Sequence, residues 1–286
     1  MVETRRTVNE LLAWAKVLFS ERLGPVDSSL ILELHILFEH VSGNNRAWQM
    51  AHSDENVSIE WAKHFESLVE QRINGTPIAF ITGTQAFWSL NLAVDTCTLI
   101  PRQDTESLIE AALSLALPEN AKALDLGTGT GAIALALKKE RSEWQVQGVD
   151  FVAKAVELAR LNANTHNLDV SFSQSDWFAA VADSEFDLIV SNPPYVESDS
   201  VYLNQGDLRF EPSTALTSGI DGLDDIRIIV EQAYSRLALG GVLMLEHGFE
   251  QASSVRALMQ KHGYVNMETQ QDYNQKDRLT HGQKKR

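Results

Sequence analysis

The segment Leu124-Asp125-Leu126-Gly127-Thr128-Gly129-Thr130-Gly131-Ala132 constrains the fold more than any other. Ala123–Leu126 reads as a short apolar strand, and Ala132–Lys139 reads as a helix. The three glycines between them let the backbone turn sharply and let a ligand approach closely. The same alternation continues downstream. Val146–Val149 is a strand ending at Asp150, Ala153–Asn164 a helix, Val170–Phe172 a strand and Phe186–Val190 a strand. A long polar loop leads to a helix over 224–237, and Val242–Glu246 is another strand before a final helix and further strands. Such alternation builds βαβ units, so the chain is α/β with a mostly parallel sheet. Ligands of such sheets bind at the carboxyl ends of the strands, where the glycine loop lies.

The front of the chain has a different period. Val8, Leu11, Leu12, Ala15, Leu18 and Phe19 recur every three to four residues, as on one helix face. A second helix is expected from a cap at Ser28 or Ser29 to about Val41. A third starts near Ser58, turns Ala62, Phe65, Leu68, Val69 and Ile73 inward, and stops at Asn74-Gly75. Ile78–Gly83 and Phe87–Val94 then read as two strands of a hairpin, and a helix is expected from Asp104 or Thr105. The expected organisation is a helical bundle over 1–75, a β-hairpin linker over 76–100 and a sheet domain over 101–286.

Charge narrows the partners. The formal net charge is −15. Non-specific nucleic-acid binding comes from Lys and Arg on phosphates, so bulk DNA or RNA is a poor partner for this chain. Residues 1–75 are themselves acidic, with 7 basic and 11 acidic side chains; they suit packing or docking of a protein better than phosphate binding. Cys97 is the single cysteine, which excludes an internal disulfide and a cysteine-based zinc site and fits a cytoplasmic setting. The first residues read as an amphipathic helix, not a leader, and no stretch approaches a membrane span.

The glycine loop satisfies Gly-x-Gly-x-x-Ala, so a dinucleotide is one candidate ligand. Asp150, at the end of the next strand, can accept both hydroxyls of a ribose or cap the following helix. NAD and S-adenosylmethionine both carry an adenosine ribose, and these residues leave both open. Asp125 tilts the balance: a carboxylate beside the loop repels a pyrophosphate and suits an ammonium or sulfonium, unless it only bonds nearby amides.

Asn192-Pro193-Pro194-Tyr195 follows the apolar run Leu188-Ile189-Val190. The prolines stiffen the backbone and remove two amide donors. An Asn side chain and a proline carbonyl then form a pair of acceptors for a planar –NH2 group, and Tyr195 offers a ring face for stacking. Such a clamp suits methylation of an amide or exocyclic amine nitrogen, driven by orientation and proximity instead of a strong base. The bland reading is a strand-ending turn, which the preceding nucleotide loop and strand order disfavour.

The glycine loop with Asn192–Tyr195 resembles class I S-adenosylmethionine-dependent methyltransferases that act on planar amino groups, of Rossmann-like fold. Phe87-Trp88, Ile100 through Glu106, Gln174 through Phe178, Gly206 through Pro212 and Leu245-Glu246-His247-Gly248 are similar to the PrmC/HemK family of release factor glutamine methyltransferases, over nearly the whole chain to Arg278. The resemblance implies a cofactor site of Gly127, Thr128, Gly129, Thr130, Gly131, Asp150, Asp176, Trp177 and Asn192 for S-adenosylmethionine, with S-adenosylhomocysteine as product. Trp177 with Asp176 would flank the adenine. Asn192, Pro193 and Tyr195 would be catalytic. Asn192, Pro193, Pro194, Tyr195 and Phe87 would hold the glutamine of the Gly-Gly-Gln motif of peptide chain release factors, and the N-terminal helices and hairpin would help dock that protein. No direct nucleic-acid contact, no membrane, no metal and a monomer are expected.

Two positions depart from the family pattern. Gln103 stands where a second proline is usual, and Asn274 follows Asp272-Tyr273 where a glycine is common; Asn tolerates positive φ, so that turn can survive. Asp104 reads as a helix cap, Arg102 as a possible tie over the pocket, Glu246 and His247 as structural groups at its rim, and residues after Arg278 as a solvated tail. Phe87 and Trp88 either face the substrate or fill the hairpin core. The competing functions are a DNA adenine-N6 methyltransferase, which would carry a basic recognition region, and a nucleotide-binding module without chemistry, which would not need Asn192–Tyr195.

Overall fold

The computed structural model describes residues 6–25, 27–182 and 185–286, and the chain divides into two units, Met1–Gly83 and Thr84–Arg286. The first unit is helical: α1 (Val8–Leu23), α2 (Ser28–Ser42), α3 (Arg46–Ala51), α4 (Ile59–Ile73) and α5 (Ile78–Thr82). Each longer helix begins at a side-chain cap that satisfies otherwise orphaned amides. Thr7 and Glu10 form a reciprocal capping box on α1, and Ser58 caps α4. Asp27, not Ser28 or Ser29, caps α2 through the amides of Ser29 and Leu30. Leu11, Ala15, Phe19, Leu37, Phe38, Phe65 and Val69 fill the core of this unit, with Phe38 and Phe65 edge to face at 5.7 Å.

The expected strand over Ile78–Gly83 is a helix. Pro77 fixes its entry at φ −56°, Gly83 ends it in the left-handed region, and the Thr82 hydroxyl donates back to the Ile78 carbonyl. Proline before and glycine after a five-residue run make a helical turn, which overrides the β-propensity of the two isoleucines. The hairpin is consequently shorter than expected, β1 (Thr84–Phe87) against β2 (Leu90–Ala93), and it belongs to the second unit.

The rest of that unit comprises α6 (Glu106–Ser114), β3 (Lys122–Leu126), α7 (Ala132–Glu140), β4 (Gln145–Asp150), α8 (Ala153–His166), β5 (Ser171–Gln174), β6 (Phe186–Ser191), α9 (Asp224–Arg236), β7 (Leu237–Glu246), α10 (Ala252–Lys261), β8 (Val265–Gln271) and β9 (Asp277–Gln283). The sheet order is β5-β4-β3-β6-β7-β9-β8. The first five strands are parallel, and β9 runs antiparallel to both its neighbours. Strand residues alternate between two apolar layers. Ala123, Leu188, Val190, Val242 and Met244 pack with α6, α7, α8 and the hairpin. Leu124, Leu126, Ile189, Leu243 and Leu245 pack with α9 and α10. A parallel sheet covered on both faces is therefore built from near-continuous apolar strands.

The residues after Arg278 are not a tail. Leu279 and Thr280 are fully buried, because β9 inserts between β7 and β8. Lys284 donates to the Leu237 carbonyl and lies over the Tyr234 ring. The short alternating run Leu279-Thr280-His281-Gly282 is a strand that its polar flanks obscure. The turn before it also differs: Asn274 donates its amide N–H to the Asp272 carboxylate, and the positive φ falls on Gln275.

Candidate functional site

The carboxyl ends of β3, β4 and β6 open on a cavity of about 390 Å³, the size of a small-molecule site. Gly127, Thr128, Gly129 and Thr130 line it, as do Asp150, Asp176, Trp177, Asn192, Pro194 and Phe87. The fold thus brings together most of the residues the sequence singled out. Gly131, Pro193 and Tyr195 do not line the cavity.

Gly131 serves packing. Its φ is +84°, and a Cβ there would press on Phe172, Ala159 and Leu135 at 3.1–3.2 Å. Only glycine lets α7 start this close to α8 and β5. Asp125 stands below the loop, buried. One carboxylate oxygen accepts from the Thr128 hydroxyl at 2.6 Å and from the Ala134 amide at 3.2 Å. It thereby caps the amino end of α7, where Gly131 has no side chain to do so. One amide at the amino end of α7, that of Ala134, is thus met by a carboxylate of the chain itself, whose charge is also unfavourable to a pyrophosphate there.

Burial pushes the Asp125 carboxyl up to about 7, against the bonds from Thr128 and Ala134. Folded Asp125 holds its proton more tightly than the unfolded chain does. Its contribution to stability is complete below the ordinary carboxyl range and is lost as pH rises through about 7. Wild type should therefore gain about 1 kcal/mol from this group between about pH 8 and about pH 6, and Asp125→Asn should abolish that gain. Denaturant unfolding of both proteins across this range checks it; parallel stability curves would refute it.

Asp150 ends β4 with both oxygens engaged once. The Gly129 amide donates to one at 2.9 Å and the Val152 amide to the other at 2.8 Å. It ties the glycine loop to the start of α8 without capping that helix, whose N-cap is Val152. Each oxygen keeps acceptor capacity toward the cavity. Burial raises its carboxyl from the ordinary range, against those two amide bonds. Trp177 takes a left-handed backbone conformation (φ 44°), a strain typical of functional sites, and its ring lies 3.5 Å from where a Gly127 Cβ would be.

Asn192 leaves β6 at the cavity wall. Its Nδ2 donates to Thr105 Oγ1 at 3.2 Å, and the Thr105 hydroxyl donates to Glu246 at 2.7 Å. The Tyr195 hydroxyl donates to the other Glu246 oxygen at 3.2 Å, and its ring packs toward α9 and α10. The Tyr195 carbonyl accepts from Gln251, and a Cβ on Gly222 (φ +70°) would collide with it. Neighbouring loops thus hold the tetrapeptide rigidly on both sides.

Several cavity-lining positions escaped sequence reasoning. Cys97, Thr98, Leu99, Pro101 and Thr105 line the cavity from the segment before α6, and Thr214 and Ala215 line it from the long loop. Phe151 also lines it and is 65% exposed. A large exposed aromatic directly after a strand-ending Asp was a readable signal; the loop residues carried none. Arg102 does act as a tie, through Glu211: the Glu211 carboxylate accepts from Arg102 at 2.7 Å and from the Ile100 amide at 3.0 Å, joining the long loop to the cavity rim. Asp104 is not a helix cap; it accepts from Asn274, while α6 has no side-chain cap. His247 is fully buried with both ring nitrogens bonded, to the Gly248 carbonyl and the Thr280 hydroxyl, so its role is structural. Trp88 does not line the cavity; it makes the hairpin turn and bonds Glu106 and Glu140.

Comparison with known proteins agrees with this geometry. Residues 104–210 match the Methyltransferase small domain, and residues 10–83 match the PrmC N-terminal domain. The release factor glutamine methyltransferase of Shewanella oneidensis is 46% identical, covering 96% of this chain and 95% of its own. That of Escherichia coli is 44% identical, covering 87% of this chain and 91% of its own. A methyltransferase from Pyrococcus furiosus shares the fold, with a TM-score of 0.55, 19% identity, and coverage of 76% of this chain and 98% of that one. With relatives this similar along almost its entire length, the chain belongs to the release factor glutamine methyltransferase family.

Proposed function

We propose that the chain methylates the side-chain amide N5 of the glutamine in the Gly-Gly-Gln motif of peptide chain release factors, with S-adenosylmethionine as donor. The observation that carries this reading is the placement of Asn192 and Pro194 on the wall of the same cavity as Gly127–Thr130 and Asp150. The donor set fits the cofactor: a carboxylate with spare acceptor capacity for ribose hydroxyls, an aromatic at Trp177 for a flat base, and a cavity of nucleoside size. Gly127, Thr128, Gly129, Thr130, Asp150, Asp176 and Trp177 would hold it. When bound, S-adenosylmethionine supplies an electrophilic methyl group.

The residues of this chain supply orientation. The Asn192 carboxamide oxygen, on the cavity wall, would accept one N–H of the glutamine amide, and the carbonyl of Pro193, which stands off that wall between the lining residues Asn192 and Pro194, would accept the other once the substrate enters. That grip removes the rotational freedom of a weak nucleophile and favours pyramidal nitrogen as the new C–N bond would form and the donor's S–C bond would break, leaving S-adenosylhomocysteine. The amide proton leaves after alkylation, when the nitrogen is acidic, so no strong base is required. Phe87 and Pro194 line the cavity where the substrate chain would enter, and Tyr195 braces the tetrapeptide from behind. The acidic first unit would dock a protein partner, and the reaction would take place in the cytoplasm, where release factors work.

Methyl transfer from labelled S-adenosylmethionine to purified release factor tests the reading. Label is expected on wild-type release factor, none on a version with Gln→Ala in its Gly-Gly-Gln motif, and none on DNA. Label on DNA alone would turn the reading to the adenine methyltransferase.

A further inference from the structure

The Asn192 carboxamide has two unlike ends. Only its oxygen can accept a substrate N–H; turned over, it would set a donor against a donor. Which end meets the substrate is decided by what grips the other end. That grip is Thr105, buried just before α6, which accepts from Asn192 Nδ2 at 3.2 Å. A hydroxyl has one proton, and that of Thr105 goes to Glu246 at 2.7 Å. Its oxygen can then only accept from Asn192. Glu246, buried at the end of β7, is an acceptor for two donors, Thr105 and Tyr195. Arg278 on β9 faces both Glu246 and Tyr195, and is itself held by Asp272 at 3.0 Å. Burial pushes the Glu246 carboxyl up to about 7; the hydrogen bond from Thr105, the charge of Arg278 and the hydrogen bond from Tyr195 favour its carboxylate form, while Asp104 before α6 opposes it.

We infer that Thr105 and Glu246 are positioning residues, a polarised hydrogen-bond chain that turns the oxygen of Asn192 toward the substrate amide. This inference rests on the amide-methylation reading above. It assigns a task to two buried side chains that do not themselves touch the reacting atoms, and it explains why a carboxylate is kept in an apolar layer at the cost of desolvation.

The test is steady-state methyl transfer to release factor, with cofactor affinity measured by calorimetric titration. Thr105→Val keeps the shape and removes the hydroxyl. It should lower kcat about tenfold and change cofactor affinity less than about twofold; the melting temperature should fall, since Glu246 loses a donor, while a cooperative transition remains. Thr105→Ser restores the hydroxyl and should recover most of the turnover. In an Asn192→Ala background, Thr105→Val should add little, since the chain acts through Asn192. Glu246→Leu, an independent break in the same chain, should also lower kcat. Wild-type turnover in Thr105→Val, an equal loss in Thr105→Ser, or additive losses with Asn192→Ala would overturn the inference while the methylation reading stands. A wild-type enzyme that leaves release factor unlabelled would overturn the reading and the inference together.

Discussion

Asn192→Ala is expected to lower methyl transfer by about two to three orders of magnitude, the usual cost of removing a preorganised polar group that acts on the transition state. The loss should appear in kcat. The fold should survive, because among the described residues the side chain makes a single hydrogen bond, to Thr105, worth about 1 kcal/mol. Turnover on release factor and a thermal melt, run on the same preparation, check this. A variant that melts like wild type and methylates at near-wild-type rate would refute the amide clamp. A variant that loses activity together with its melting transition would show a structural role instead. Alanine is the right replacement: aspartate would keep an acceptor in place and add a charge near Glu246.

Asp150→Ala is expected to weaken binding of S-adenosylmethionine by about ten- to a hundredfold. A hydrogen bond to a charged group contributes about 1.5–3 kcal/mol, and the two carboxylate oxygens would face two ribose hydroxyls. Part of the loss would come from the loop, since Asp150 also accepts from the Gly129 and Val152 amides. At saturating cofactor the turnover should recover substantially, because Asp150 does not touch the reacting nitrogen. Calorimetric titration separates these terms, and an unchanged affinity would remove the ribose role. Asp150→Asn should fall between, as it keeps one acceptor and loses the charge.

The two variants probe two lining residues of one cavity, and the sequence displayed both. The glycine loop, Asp150 and Asn192–Tyr195 were legible because each answers a local demand. Gly131 must adopt positive φ and leave room for Phe172; a strand-ending carboxylate sits one turn from its helix; two prolines stiffen a strand end. Of the front helices, α1 and α4 were legible from their apolar spacing, and Ser58 caps α4 where that helix was expected to start; the six-residue α3, capped by Asn45, is too short for such spacing to show. Errors arose where a short segment has a weak local preference. Ile78–Thr82 follows its flanking Pro77 and Gly83 and not its isoleucines. Residues 277–283 become a strand because β7 and β8 offer unpaired edges to either side.

By itself the sequence determined the α/β class, the helical front, the glycine loop and the Asn192–Tyr195 turn, all of which depend on backbone conformation and periodicity within a few residues. Only the tertiary structure decided which side chains hold that tetrapeptide. Thr105 and Glu246 meet across 141 positions of sequence, Arg102 and Glu211 across 109, and Asp125 turns inward to cap α7. Those contacts exist because packing the sheet between two helical layers removes water from the carboxylates. Once buried, a carboxylate must find its donors wherever the fold delivers them.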